Sequence, residues 1–459
     1  MELVFASALL PDGIAGPVSI GIAADGTIER VSSGVRTAGA AVLSGLALPG
    51  MPNLHSHAFQ RAMAGAAEIA GPGEDSFWTW RDTMYRFVGR LGPEDVDAVA
   101  AFVYLEMLEA GYTSVAEFHY LHHQPDGRPY AEPAALALAV RAAAERSGIR
   151  QLLLPTLYQT AGFGGQSPQP AQRRFVHDTR SFLKLAEKLI ADDESTHTTG
   201  IALHSLRAVP MDALREAVAG IGALAPRAPI HIHVAEQQPE VAACLAFCRR
   251  RPVQYLLETG LVDARWCLVH ATHVDAEEVS GMAAAGAVVG LCPTTEANLG
   301  DGVFPLDALI AAGGRFGIGS DSHVSIDPAE ELRAAEYSLR LTRGRRVVAS
   351  NGRESHCGTF LYQSAVAGGA QALGLSGAGL TVGAPADIVV LDTDQAAFAG
   401  ANSASLIDAH VFAPRPRFIR DVMVSGRWRV RDGRHLERAA IATGYRAALA
   451  RLGVSSAQG

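Results

Sequence analysis

The chain has 459 residues, 48% of them apolar and 19% charged, which suits a large globular domain plus a smaller one and excludes a disordered polymer. A formal net charge of −8 argues against a nucleic-acid surface and against an anionic membrane. No basic segment precedes the first apolar stretch, no apolar run reaches membrane-spanning length, and the five cysteines form no C-x-x-C pair, so a cytoplasmic protein with reduced thiols is expected.

Residues 1–49 alternate apolar runs with turns, and "SIGIAADGTIERV" sets Asp25-Gly26 between apolar flanks, a hairpin signal. From residue 50 the rhythm changes. Strands are expected at "NLHSH", "TSVAEFHY", "RQLLLPTLYQ", "GIALHS", "PIHIHVAE", "CLVHATH", "AVVGLCPTTE" and "FGIGSDS". Segments between them, such as "PEDVDAVAAFVYLEMLEAG" and "PAALALAVRAAAERSG", read as helices ending at glycine. Strand and helix alternating eight times predicts an α/β protein, a (β/α)8 TIM barrel over residues 50–375. An open doubly wound sheet is the alternative, but no G-x-G-x-x-G follows the first strand. "AGFGGQSPQPAQ" is a long loop after strand three, and Cys244 and Cys248, four apart on a helix, read as core packing. Past residue 375, "GAPADIVVLDT" and "FIRDVMVSGRWRVRDGRHL" alternate again, with a turn at Asp432-Gly433. Residues 376–459 are therefore expected to join residues 1–49 in one small β-domain built from both termini.

Nearly every expected strand finishes in a polar or titratable group: His55 and His57, Glu117 and His119, Tyr158, His204, His233 and Glu236, His270, Glu296, Asp321. The C-terminal strand ends form the active face of such a barrel. A single histidine there is most simply a satisfied core residue; the conjunction reads differently. His55 and His57, two apart on a strand, share a face and can grip one ion. With His233 and Asp321 from strands five and eight they make three imidazoles and a carboxylate, a set suited to Zn2+ or Fe2+. His233 is preferred over His231 because it lies nearer the strand's C-terminal end. Glu236 is within reach of a water at the ion, and His270 is either a ligand or a donor to that water.

"PGMPNLHSH", "HIHVAE", "VHATH", "GSDSH" and "GAPADIVVLD" resemble, across the whole chain, the amidohydrolase superfamily and its mononuclear deaminase branch. Within that branch "NLHSHAFQRAMAG", "FWTWRDTMY", "EFHYLHH" and "HSLRAV" are similar to the formimidoylglutamate deiminase family. The resemblance implies hydrolytic deamination of N-formimino-L-glutamate, a step of histidine degradation. It implies zinc on His55, His57, His233 and Asp321, proton handling by Glu236, His270 and Asp321, and substrate contacts from Gln60, Arg81, Tyr120, His204 and Arg207. A homodimer is expected. Two-metal barrels of this kind often need a lysine on strand four, but the only lysines, Lys184 and Lys188, precede it, so one ion per chain is expected. Arg81 and Arg207 independently suit a dicarboxylate, since guanidinium forks pair with carboxylates; surface ion pairing is their bland alternative. Tyr120 as packing, and Gln60 as an exposed amide, are the corresponding plain readings. A deaminase of an aminated heterocycle such as guanine would want stacking and amide contacts instead. A non-catalytic scaffold barrel of the dihydropyrimidinase-like type would be expected to lack part of the ligand set. His119, His122, His123, His231 and His323 are left as strand-end, core or loop residues.

Overall fold

Eight short apolar segments form parallel strands: β1 (Met51–Ser56), β2 (Tyr112–His119), β3 (Arg150–Leu157), β4 (Ile201–Ser205), β5 (Ile230–Val234), β6 (Trp266–His270), β7 (Val288–Leu291) and β8 (Arg315–Ile318). They read as near-continuous apolar runs because most are buried on both faces, between the barrel interior and a ring of helices. The computed structural model describes residues 1–34, 42–66, 68, 77–413 and 418–453. Each strand pairs in parallel with the next, and Ile318 of β8 pairs with Asn53 of β1, which closes the barrel. A short strand, His197–Thr199, adds to β3 just before β4.

The helices start and stop where local chemistry dictates. Pro93–Ala110 begins at a proline, with the Asp95 carboxylate accepting the Gly92 N–H at 3.2 Å, and ends at Gly111, whose φ of 97° suits glycine. One expectation fails at strand seven. "AVVGLCPTTE" reads as a strand ending at Glu296, but β7 stops at Leu291 and Glu296 lies in the helix Pro293–Leu299. Pro293 has no N–H to give a ladder and suits the first helical turn.

The termini share a second sheet. Val42–Pro49 pairs antiparallel with Ile388–Leu391, Ile388 opposite Pro49 and Leu391 opposite Leu46. Strands Glu2–Leu10, Val18–Ile22 and Ile28–Ser33 extend one side; Ile419–Val424, Arg427–Arg431 and Arg434–His435 extend the other. Asp25-Gly26 and Asp432-Gly433 make the expected turns. Phe5, Val18, Ile20, Ala47, Ile388, Val390 and Met423 form this sheet's own core. Only Gly50 separates Val42–Pro49 from β1, and its N–H donates to the Asp387 carbonyl at 2.9 Å, so the sheet anchors the base of the strand that carries His55 at its far end. Among the described residues, no helix is long and apolar enough to cross a membrane.

Candidate active site

β1 and the segment after β8 are laced together where the candidate ligands sit. His57 N–H donates to the Asp321 carbonyl at 3.1 Å, and Asp321 N–H donates to the His55 carbonyl at 3.0 Å. His55 Nε2 and His57 Nε2 each lie 3.5 Å from Asp321 Oδ1, and His233 Nε2, from β5, lies 3.0 Å from His55 Nε2. At Gly319 a Cβ would sit 2.8–2.9 Å from the Cβ, O and N of His55. Gly319→Ala is therefore expected to displace the β1 end and to cost about 1–3 kcal/mol of stability, read by urea denaturation.

The donor chemistry fits a cation. A carbonyl only accepts, so His57 Nδ1, 2.9 Å from the Phe118 carbonyl, and His233 Nδ1, 3.0 Å from the His204 carbonyl, must carry the ring protons. Their Nε2 lone pairs are then free, that of His57 3.5 Å from Asp321 Oδ1 and that of His233 3.0 Å from His55 Nε2, an arrangement that a positive ion satisfies. His55, His57 and His233 have ring nitrogens close enough to share one ion, and the ring nitrogens of His55 and His270 lie equally close to a carboxylate oxygen of Asp321. Burial first, then the neighbouring imidazoles, hold His55 and His233 well below the ordinary histidine range. Burial also lowers His57, although Asp321 opposes it. The neutral imidazole is the form that ligates.

His270, at the end of β6, completes the cluster. Its Nε2 is 3.8 Å from both Asp321 Oδ2 and Glu236 Oε1, and its Nδ1 is 3.3 Å from Glu296 Oε1. Burial works to lower this imidazole, but the surrounding carboxylates, Glu236 foremost, outweigh it and hold it at about 10. Burial pushes the Glu236 carboxyl up to about 7 against the opposing pull of His270 and Arg207.

The cluster opens into one pocket, about 650 Å3 of atom-free space with its open mouth included. His57, Gln60, Arg81, Tyr120, His204, Arg207, His233, Glu236, His270 and Asp321 all line it; His55 does not and lies fully buried beside His57. Gln60 is buried, not exposed, and donates from Nε2 to the Tyr120 hydroxyl at 3.1 Å. The Arg81 guanidinium carbon lies 4.5 Å from the Trp78 ring and 5.4 Å from the Tyr85 ring, and that of Arg207 lies 5.9 Å from Trp78. Among the described residues, each arginine has a buried Nε without a hydrogen-bond partner, and the nearest carboxylate to Arg207 is Glu240, at 4.0 Å. Arg81 comes from the helix Phe77–Val88; part of the insertion before it lies outside the described residues.

Other histidines have other partners. Nε2 of His122 meets the Thr156 carbonyl, Nε2 of His123 the Val176 carbonyl, and Nε2 of His231 the Ala372 carbonyl. None of these, nor His119 or His323, lines the pocket. Lys184 and Lys188 lie on the helix Thr179–Ala191, where Lys188 pairs with Glu132. Sequence reasoning missed Phe77 and Tyr85, which line the pocket from the same "FWTWRDTMY" stretch as Arg81, four residues to either side of it on one helix. It also missed Asp301, which accepts from the Gln237 side chain and whose carboxyl is pushed up to about 8 by burial and then by Glu236. Its only signal was the glycine-aspartate pair closing a short helix.

Comparison with known proteins agrees with this geometry. A formimidoylglutamate deiminase from Pseudomonas aeruginosa is 52% identical over 438 residues, 95% of this chain and 96% of that one. An 8-oxoguanine deaminase from the same organism is 30% identical over 421 residues, 88% of this chain and 87% of that one. A solved amidohydrolase structure from Brucella melitensis superposes with a TM-score of 0.93 at 45% identity, over 98% of this chain and 99% of that one. Residues 46–429 match the amidohydrolase family model, and the chain belongs to that metal-dependent family.

Proposed function

We propose that this chain hydrolyses N-formimino-L-glutamate to N-formyl-L-glutamate and ammonia, using one divalent ion held by His55, His57, His233 and Asp321. The observation that carries the reading is a single pocket joining that cluster to two arginines whose Nε donors have no partner among the described residues. A dicarboxylate meets both guanidinium groups while its formimino carbon reaches the cluster. The 52% identity to a formimidoylglutamate deiminase supports the same substrate.

Zinc, or ferrous iron in its place, supplies Lewis-acid chemistry there, acidifying water and polarising the substrate. The chain's own groups do the rest. Asp321 takes a proton from the attacking water. His270 directs its Nε2 into the space between Asp321 and Glu236 and holds the attacking oxygen there. Water adds to the formimino carbon, giving a tetrahedral centre that bears both nitrogens. Glu236, poised near neutrality, carries a proton to the terminal nitrogen, which leaves as ammonia. Gln60, Tyr120 and His204 contact the substrate beside the arginines.

The formimino carbon carries two C–N bonds, so product identity tests the reading. Ammonia and N-formyl-L-glutamate in equal amounts are expected, with one oxygen from labelled water in the formyl group. Formamide and glutamate, or no turnover, would overturn it. The 30% identity to an 8-oxoguanine deaminase keeps a heterocycle as the second reading; the aromatic wall of Tyr85, Tyr120 and Tyr158 suits a ring, but the paired arginines do not.

With no lysine on β4, one ion per chain is expected; metal analysis returning two firmly held equivalents would contradict it. The protein is expected to act in the cytoplasm as a homodimer, its five cysteines unpaired; sedimentation of the purified chain checks the dimer. The division into residues 1–49, 50–375 and 376–459 is the domain scheme that goes with this reading.

A further inference from the structure

Outside the pocket, five side chains, each at most 1% exposed, form an unbroken hydrogen-bonded chain past the ligand-bearing segments: Asn53, Ser320, His323, Ser56 and Glu117. Asn53 Oδ1 accepts Ser320 N–H at 3.2 Å and His55 N–H at 3.3 Å, which fixes the orientation of the amide. Its Nδ2 therefore donates to Ser320 Oγ at 2.7 Å. Ser320 Oγ–H then points to His323 Nδ1 at 3.0 Å, so His323 carries its proton on Nε2, 3.1 Å from Ser56 Oγ. Ser56 in turn donates to Glu117 Oε2 at 2.6 Å. The carboxylate of Glu117 also accepts Tyr104 O–H at 3.0 Å and Ala58 N–H at 2.8 Å. A single direction satisfies every member, and it ends on Glu117.

The members interleave with the candidate ligands. Asn53 and Ser56 flank His55, Ser56 lies between His55 and His57, and Ser320 and His323 flank Asp321. Asp321 and His323 both hold left-handed backbone, with φ of 45° and 61°. Non-glycine residues persist there only where their surroundings over-determine them. The chain supplies that constraint, because it ties both sides of Asp321 to β1.

We propose that Glu117 is a positioning residue: as terminal acceptor it sets the direction of this chain, and through it holds His55, His57 and Asp321 in the arrangement that takes the ion. The inference rests on reading that cluster as a metal site. A carboxylate placed only to satisfy Tyr104 and Ala58 would affect folding and leave the ion's affinity untouched.

The test measures zinc affinity of apoprotein by competition with a chromogenic chelator. Glu117→Gln keeps the size but sets an amide where only acceptors fit. Ser320→Ala interrupts the chain at a distance from Glu117. Each is expected to weaken zinc binding about 10–100-fold in protein with native near-UV circular dichroism. Tyr104→Phe, which leaves the chain intact, is expected to stay within about threefold of wild type. Folded variants at Glu117 and Ser320 that bind zinc as tightly as wild type would overturn the inference alone. Wild-type protein that takes up no zinc would overturn the metal-site reading and this inference with it. If Glu117→Gln fails to fold, Ser320→Ala decides by the same measurement.

Discussion

Glu236→Gln is expected to lower kcat by ~10²-fold or more while the protein keeps its fold and its metal content. Glu236 is buried, its Oε1 lies 3.8 Å from His270 Nε2, and burial brings its carboxyl to about 7, where it can both take and give a proton at neutral pH. Glutamine fills the same space but cannot cycle a proton. The substrate's carboxylates meet other residues, so KM should change far less than kcat. Steady-state kinetics beside metal analysis checks this; near-normal turnover would remove Glu236 from the mechanism.

Arg81→Met and Arg207→Met are each expected to lose ten- to a hundredfold in kcat/KM for N-formimino-L-glutamate, with metal retained. A hydrogen bond to a charged group is worth about 1.5–3 kcal/mol, one to two decades. Among the described residues, the Nε of each arginine has no hydrogen-bond partner that a substrate carboxylate would have to displace. Arg207 has Glu240 at 4.0 Å, too far for a hydrogen bond, so removing Arg207 also leaves that buried carboxylate less compensated. Arg81 stacks on Trp78 and Tyr85, so methionine there preserves contact area and isolates the charge. A formimino compound lacking one carboxylate should be a poor substrate for wild type and should be hurt less by one of the two substitutions. That difference identifies which arginine meets the missing group. Variants equal to wild type would remove the dicarboxylate argument.

The barrel was legible because strands buried on both faces are short apolar runs, and because most of those runs are closely followed by a polar or titratable group. The pair His55 and His57 was legible for the same reason, since a period of two needs no long-range information. Glu296 was misplaced because apolar and threonine residues continue past Leu291; only Pro293 marks the switch to helix. What local pattern cannot reveal is pairing across the closed sheet. The Ser56–His323 contact spans 267 residues, and Ser56–Glu117 spans 61. Glu117 stood out only as one more polar strand-end residue, and nothing near it in sequence marks Tyr104 or Ala58 as its donors. Nothing in the sequence pairs Trp78 with Arg207; the fold sets Tyr85 beside Arg81 on the helix Phe77–Val88, and Trp78 5.9 Å from Arg207 in the turn after β4.

The central claim is that this pocket selects a linear amidine bearing two carboxylates. The most direct measurement is kcat/KM for N-formimino-L-glutamate beside guanine and 8-oxoguanine, read as ammonia release from one preparation of metal-loaded enzyme. The account predicts that N-formimino-L-glutamate is preferred by at least 10²-fold, the product of two charge-assisted contacts that a neutral ring cannot make. Faster turnover of either purine would contradict it and assign the chain to the heterocycle deaminases.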